Sequence, residues 1–232
     1  VSTSTPTPTQ APASSPTPTA ISCSTTLQSR VNSASTGSTI NVTGCTFHET
    51  VTINKALTIV GGTITGDNSR VYGVVVGASN VTLDGVTVTD TNNPLQDGAV
   101  RVRNASNFTF KNGTILRGDG ACISIGGGSN HLVTNSELGY CGQEGFHTYG
   151  VSTITYSNNH IHHNNPNNAI DSEWEAGGGK VTNSSNVTFS GNEANDNKGP
   201  GLWCDINCTN VTFSNNNVYN NNKAGIMFEV SS

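Results

Sequence analysis

The chain has 232 residues and a net charge of −5, with 33% of its residues hydrophobic and 11% charged. That length allows one domain with a substantial core, and the dominance of Gly, Asn, Thr and Ser excludes a helical bundle in favour of short strands joined by tight turns. The lack of a basic cluster argues against a nucleic-acid partner, and no apolar run approaches the roughly 20 residues of a membrane span.

Residues 1–20 are almost only Ser, Thr, Pro and Ala. They cannot bury a core and are expected to be a solvated linker, leaving residues 21–232 as the folded domain. Tethers of this composition join modules of secreted or surface proteins, and six cysteines fit an oxidising compartment. A monomer displayed outside the cell is the expectation.

The stretch from Ser24 to Ala34 is the one predicted helix. Ser24 would cap it, and Leu27 and Val31 share one face. Cys23 and Cys45 flank it, so a disulfide is expected to pin it over the open end of whatever follows. Thr39–Thr43, Val51–Ile53 and Leu57–Val60 alternate in the manner of half-buried strands.

From there the chain repeats itself. Successive lines open at Asn107, Asn130, Thr153, Asn186 and Asn210, with steps of 23 or 24 residues and one of 33. A fixed period of this size means stacked units. Within each line, apolar residues recur at the second, fourth and ninth positions, as in Val187 and Phe189 or Val211, Phe213 and Val218. A further pair falls near the end, as in Leu202 and Cys204 or Ile226 and Phe228. Three short inward segments per coil define an all-β, right-handed parallel β-helix with a short N-terminal capping helix. Asn159, Asn192 and Asn216 share one relative position, where stacked amides satisfy each other and the turn backbone.

This pattern resembles the right-handed parallel β-helix superfamily of pectate lyases and polygalacturonases over about residues 24–232. Trp174–Lys180, Gly201–Ile206 and Gly225–Ser231 are similar to motifs of a bacterial secreted β-helix subgroup. That resemblance marks Glu175, Lys180, Asp205 and Glu229 as site candidates.

Strand alternation sends every second residue outward, and coils stack about 4.8 Å apart, so outward residues form columns. Reading the last strand of each coil gives one column of Arg101, Ser124, His147, Asp171, Trp203 and Met227. The other is Arg103, Gly126, Tyr149, Glu173, Asp205 and Glu229. In this register Glu173, Asp205 and Glu229 sit on adjacent rungs with Asp171 beside them. Clustered like charges raise one another's pKa unless a cation or proton intervenes. The surplus residues of the long coil are placed after that strand, in Trp174–Asn183, where Trp174 and Glu175 would line a groove and Lys180 would reach back over it.

Three chemistries fit such a face. In a polysaccharide lyase or C5-epimerase, as the superfamily resemblance implies, calcium held by Glu173, Asp205 and Glu229, with an arginine, neutralises a uronate. Lys180, His147 or Tyr149 then removes the acidified proton. In a glycoside hydrolase, two of the carboxylates act as a pair. In a non-catalytic polysaccharide-binding or adhesion module, Trp203 and Trp174 act as platforms. Asp171, Glu175, Arg101 and Arg103 complete the expected substrate contacts. Ile206 stands where the pectate-lyase Trp-x-Asp-His motif has histidine, so neither family's catalytic set carries over.

His160, His162 and His163 are read as solvated turn residues without further ligands nearby. Cys122 and Cys141 meet at one corner and are expected to bridge. Cys204 and Cys208 are either a short-range disulfide or two buried thiols.

Overall fold

The computed structural model describes residues 22–230. The expected linker at residues 1–20 lies outside them. Among the described residues, 24 strands form three eight-stranded parallel sheets, each built from every third strand of the chain. The first sheet runs from Thr39–Asn41 to Thr209–Ser214, the second from Thr46–Phe47 to Asn217–Tyr219, and the third from Val51–Ile53 to Ile226–Glu229. The chain is therefore a three-sided right-handed parallel β-helix of stacked rungs.

Each rung closes because its corners accept left-handed backbone. Asn80, Asn107, Asn130, Asn186 and Asn210, which open the repeat lines, all have φ between 52° and 60°. Asparagine tolerates that region because its short side chain bonds locally. The core is a set of vertical stacks. Leu83, Phe110, Val133, Tyr156, Phe189 and Phe213 follow one another in register, with Tyr156 and Phe189 rings 5.6 Å apart and Phe189 and Phe213 rings 4.9 Å apart. Beside them, Asn192 donates to Asn216 Oδ1 and accepts from Asn159 Nδ2, at 2.9 and 3.0 Å. A parallel ladder of Asn164, Asn197 and Asn221, not anticipated from the sequence, does the same at the next corner.

The helix spans Leu27–Ser33, with Thr26 rather than Ser24 as its cap. Leu27 and Val31 are buried against the first rung, and the Glu49 carboxylate accepts from the free amides of Leu27 and Gln28. Disulfides join Cys23 to Cys45, Cys122 to Cys141, and Cys204 to Cys208. No described helix is long and apolar enough to cross a membrane.

One register expectation is overturned. The third strand of the long coil is Gly177–Thr182, and Ala169–Glu173 is not strand. The surplus residues therefore precede the strand. Packing explains why. Phe146 pairs with Gly179, whose Cβ would fall 2.3 Å from the Phe146 ring, and a Cβ on Gly178 would meet the Gly201 carbonyl at 1.9 Å. Only glycine fits between this ring and the next rung.

Candidate active site

With that register, one outward column of the third sheet reads Arg101, Ser124, His147, Lys180, Trp203, Met227. The other reads Arg103, Gly126, Tyr149, Thr182, Asp205, Glu229. Thr182 and Lys180 take the places expected for Glu173 and Asp171. Both acids lie in the insertion instead. Asp171 is exposed and accepts from the Glu173 amide. Glu173 faces solvent and pairs with Lys223 at 2.6 Å.

The insertion still supplies the site. Glu175 packs down onto the sheet, 5% exposed, where it accepts from Gln96 and lies 3.6 Å from His147 and 3.9 Å from Lys180. Gln96 belongs to the loop between the strands Thr87–Thr91 and Gly98–Arg103, so that loop and the insertion meet. Gln143, fully buried, ties them together by accepting from the Gln96 amide and donating to the Glu175 carbonyl. Trp174 stands 48% exposed at the rim.

Lys180 is held on several sides. Its ammonium lies 2.8 Å from Asp205, donates to the Trp174 carbonyl at 2.9 Å, and sits 3.9 Å from the Trp203 ring centroid. These contacts commit its protons, so it is a poor free base. They also cover Trp203, which is 1% exposed and cannot be the open platform expected of it. Asp205 is 5% exposed, and its Oδ1 has no partner among the described residues.

The adjoining rung carries an oriented histidine. His147 Nδ1 faces Glu144 Oε1 at 3.0 Å, leaving Nε2 unengaged by either carboxylate. Glu144 is completely buried, and burial pushes its carboxyl above the usual range, with His147 opposing. Burial pulls the imidazole down, but the charge and hydrogen bond of Glu144, with Glu175, outweigh it, and His147 ends above its ordinary 6.5. Sequence reasoning missed Glu144. The signal was available, because the neighbouring rungs put Ala121 and Gly177 at that position, and a lone acid in a column of small residues is out of place.

Arg103 and Tyr149 lie two rungs apart in one column, with Gly126 between. A Cβ at Gly126 would stand 3.1 Å from Arg103 Cδ, so the missing side chain gives Arg103 its place. Arg103, His147, Tyr149 and Gln96 line one cavity, which adjoins the larger cavity of His147, Glu175, Lys180 and Asp205. Asp97 orients the guanidinium at 2.7 Å and also binds Arg101 and Ser124. Arg101 is thereby turned toward Asp97 and the Tyr72 ring.

The expected calcium ligands do not fit one ion. Glu173 has left the column, Asp205 is engaged by Lys180, and no group of three or more acidic, histidine or cysteine side chains among the described residues is placed to hold a metal. Of the three histidines, only His163 lies at a turn, with φ 53°. His160 and His162 belong to the strand His160–His162 of the second sheet and stack at 4.0 Å, and buried His162 bonds Glu137 and His163.

A parallel β-helix with polar side chains gathered along one lateral groove is the class of molecule these features define. The sequence model described as "Right handed beta helix region" matches residues 98–232, more than half of the chain, which therefore belongs to that family. No curated protein matches the sequence. Among solved structures, pectate lyase Pel9A is 16% identical with a TM-score of 0.51, covering 89% of this chain and 71% of its own. The enzymatically active domain of bacteriophage CBA120 tailspike protein 2 is 12% identical with a TM-score of 0.49, over 88% and 38%. The A-module of Azotobacter vinelandii mannuronan C-5 epimerase AlgE6 is 13% identical with a TM-score of 0.32, over 84% and 55%. At such identities the likeness is one of fold.

Proposed function

We propose that this groove cleaves an acidic polysaccharide outside the cell by elimination, with His147 as the base. The observation that carries the reading is that Arg103, His147 and Tyr149 share one cavity. An elimination needs those three roles. Arg103 neutralises the uronate carboxylate and so acidifies the adjacent C–H. His147, oriented by Glu144, takes that proton on Nε2. The electron pair forms the carbon–carbon double bond, the bond to the glycosidic oxygen breaks, and the Tyr149 hydroxyl protonates the departing oxygen. Tyr149, 57% exposed, is open to substrate. Pectate lyase Pel9A, which shares the fold, is a lyase by name, and three disulfides suit an extracellular setting.

Hydrolysis is the competing reading. Lys180 sits between Glu175 and Asp205, which puts their facing oxygens no more than about 7 Å apart, short of the roughly 9.5 Å upper limit for carboxylate pairs. The same bridge engages both acids, which favours elimination. A panel of uronate polymers, assayed for the ultraviolet absorbance of an unsaturated product, tests this. The absorbance is expected to rise, and to be lost in Arg103→Ala and His147→Ala with the fold intact. Reducing ends without the chromophore would favour hydrolysis, and binding without product a sugar-binding module.

A further inference from the structure

The corner that follows Asp205 is built unlike the others on its side of the solenoid. On the four preceding rungs Asn104, Gly127, Gly150 and Asn183 turn the chain there, all with left-handed backbone that asparagine and glycine accept readily. On the next rung Asn207 continues the series, donating to Asn183 Oδ1 at 3.1 Å. An additional residue, Ile206, stands before it with φ 48°. Ile206 and Val230, which follows Glu229 on the adjoining rung, are the two β-branched residues with positive φ among the described residues. A β-branched side chain in that region is a genuine outlier. The Cys204–Cys208 disulfide brackets the corner. Backbone in such a conformation persists only where the surroundings impose it, and these places cluster at ligand sites.

The outlier puts an apolar side chain in water. Ile206 is 43% exposed, much as Trp174 is, and both line the cavity of about 570 Å³ that holds Glu175, Lys180 and Asp205. That size falls within the roughly 300–1,000 Å³ of ligand sites. The charges in the cavity already have partners, since Lys180 lies between Asp205 and Glu175 and His147 faces Glu175. The surface left open to a ligand at this rim is apolar. We infer that Ile206 and Trp174 form a remote subsite for the C–H face of a sugar ring. Four rung steps of about 4.8 Å separate the Arg103 and Asp205 rungs, or roughly 19 Å, so the subsite lies about four sugars from the residue held by Arg103. The inference rests on the proposed function for the course of the polysaccharide along the third sheet. A pyranose shows C–H groups on its ring faces, and stacking on an indole and an aliphatic side chain takes them out of water. Only a chain long enough to reach both places gains from the second contact.

The test measures affinities of His147→Ala, which removes the proposed base, for trigalacturonate and octagalacturonate. The trisaccharide is too short to span the two places and the octasaccharide is not. The octasaccharide is expected to bind roughly tenfold more tightly or better. Ile206→Asn and Ile206→Gly both suit the left-handed corner and remove the apolar contact. Each, added to His147→Ala, is expected to shrink that ratio severalfold by weakening the octasaccharide, with an unchanged circular dichroism spectrum. An octasaccharide bound no more tightly than the trisaccharide, or a ratio that both substitutions leave unmoved, would overturn the inference. The product of the wild-type protein is read separately. A ratio that responds, with no unsaturated product, counts against the elimination alone. An unsaturated product, with a ratio that does not respond, counts against this inference alone.

Discussion

Lys180 is the side chain whose removal has the most calculable effect. It is 6% exposed, and its partners Asp205 and Glu175 are each 5% exposed. Lys180→Met keeps most of the side-chain volume and removes the charge. Two carboxylates are then left in a poorly solvated place without their cation, the Trp174 carbonyl loses its donor, and the Trp203 ring loses its ammonium. Breaking a buried pair from one side costs about 3–5 kcal/mol. For a domain of this size that is a fall in Tm of roughly 6–20 °C. Urea unfolding with disulfides intact, followed by tryptophan fluorescence, reads it directly, since Trp203 is buried and becomes exposed. Adding Asp205→Asn removes one orphaned charge and is expected to restore more than ~1 kcal/mol, because a neutral replacement of a buried pair is often well tolerated. The reasoning fails if Lys180→Met unfolds within ~1 kcal/mol of wild type, or if the double variant is no better than the single one.

The raised pKa of His147 makes kcat/KM rise with pH through a limb above 6.5, since the base must be neutral. Glu144→Gln, by removing the anion that holds the proton, moves that limb to lower pH, which a pH–rate profile will show. Gly126→Val displaces Arg103 and is expected to reduce kcat/KM about tenfold with an unchanged circular dichroism spectrum. Asn192→Leu leaves the buried Asn159 amide without its acceptor and the Tyr156 carbonyl without its side-chain donor. A loss of roughly 3 kcal/mol or more in chemical denaturation follows from that count.

The period, the inward positions and the asparagine corner were legible because each is imposed on every rung. Val187, Val211 and their equivalents face the same interior, and repetition makes the rule visible. The site resisted for the opposite reason, being assembled where the rule is broken. Ala169–Glu173 alternates like a strand, yet Gly177–Thr182 occupies the sheet because the bulk of Phe146 below demands glycine above. That one shift replaced Asp171 and Glu173 by Lys180 and Thr182. Gln96 matters through a contact made across three rungs, with Glu175 79 residues away, which no spacing rule reveals, whereas Glu144 acts on His147 within its own strand and was marked only by its column of small residues. Asp205, Glu229, His147 and Tyr149 kept their expected outward columns because their strands follow the regular repeat.

The mass of the products bears most directly on the role given to Arg103, His147 and Tyr149. When a defined uronate oligosaccharide is digested and the fragments are weighed, elimination predicts masses that sum to that of the starting sugar, with one fragment unsaturated. Fragments that together exceed it by one water per cleavage would contradict the account.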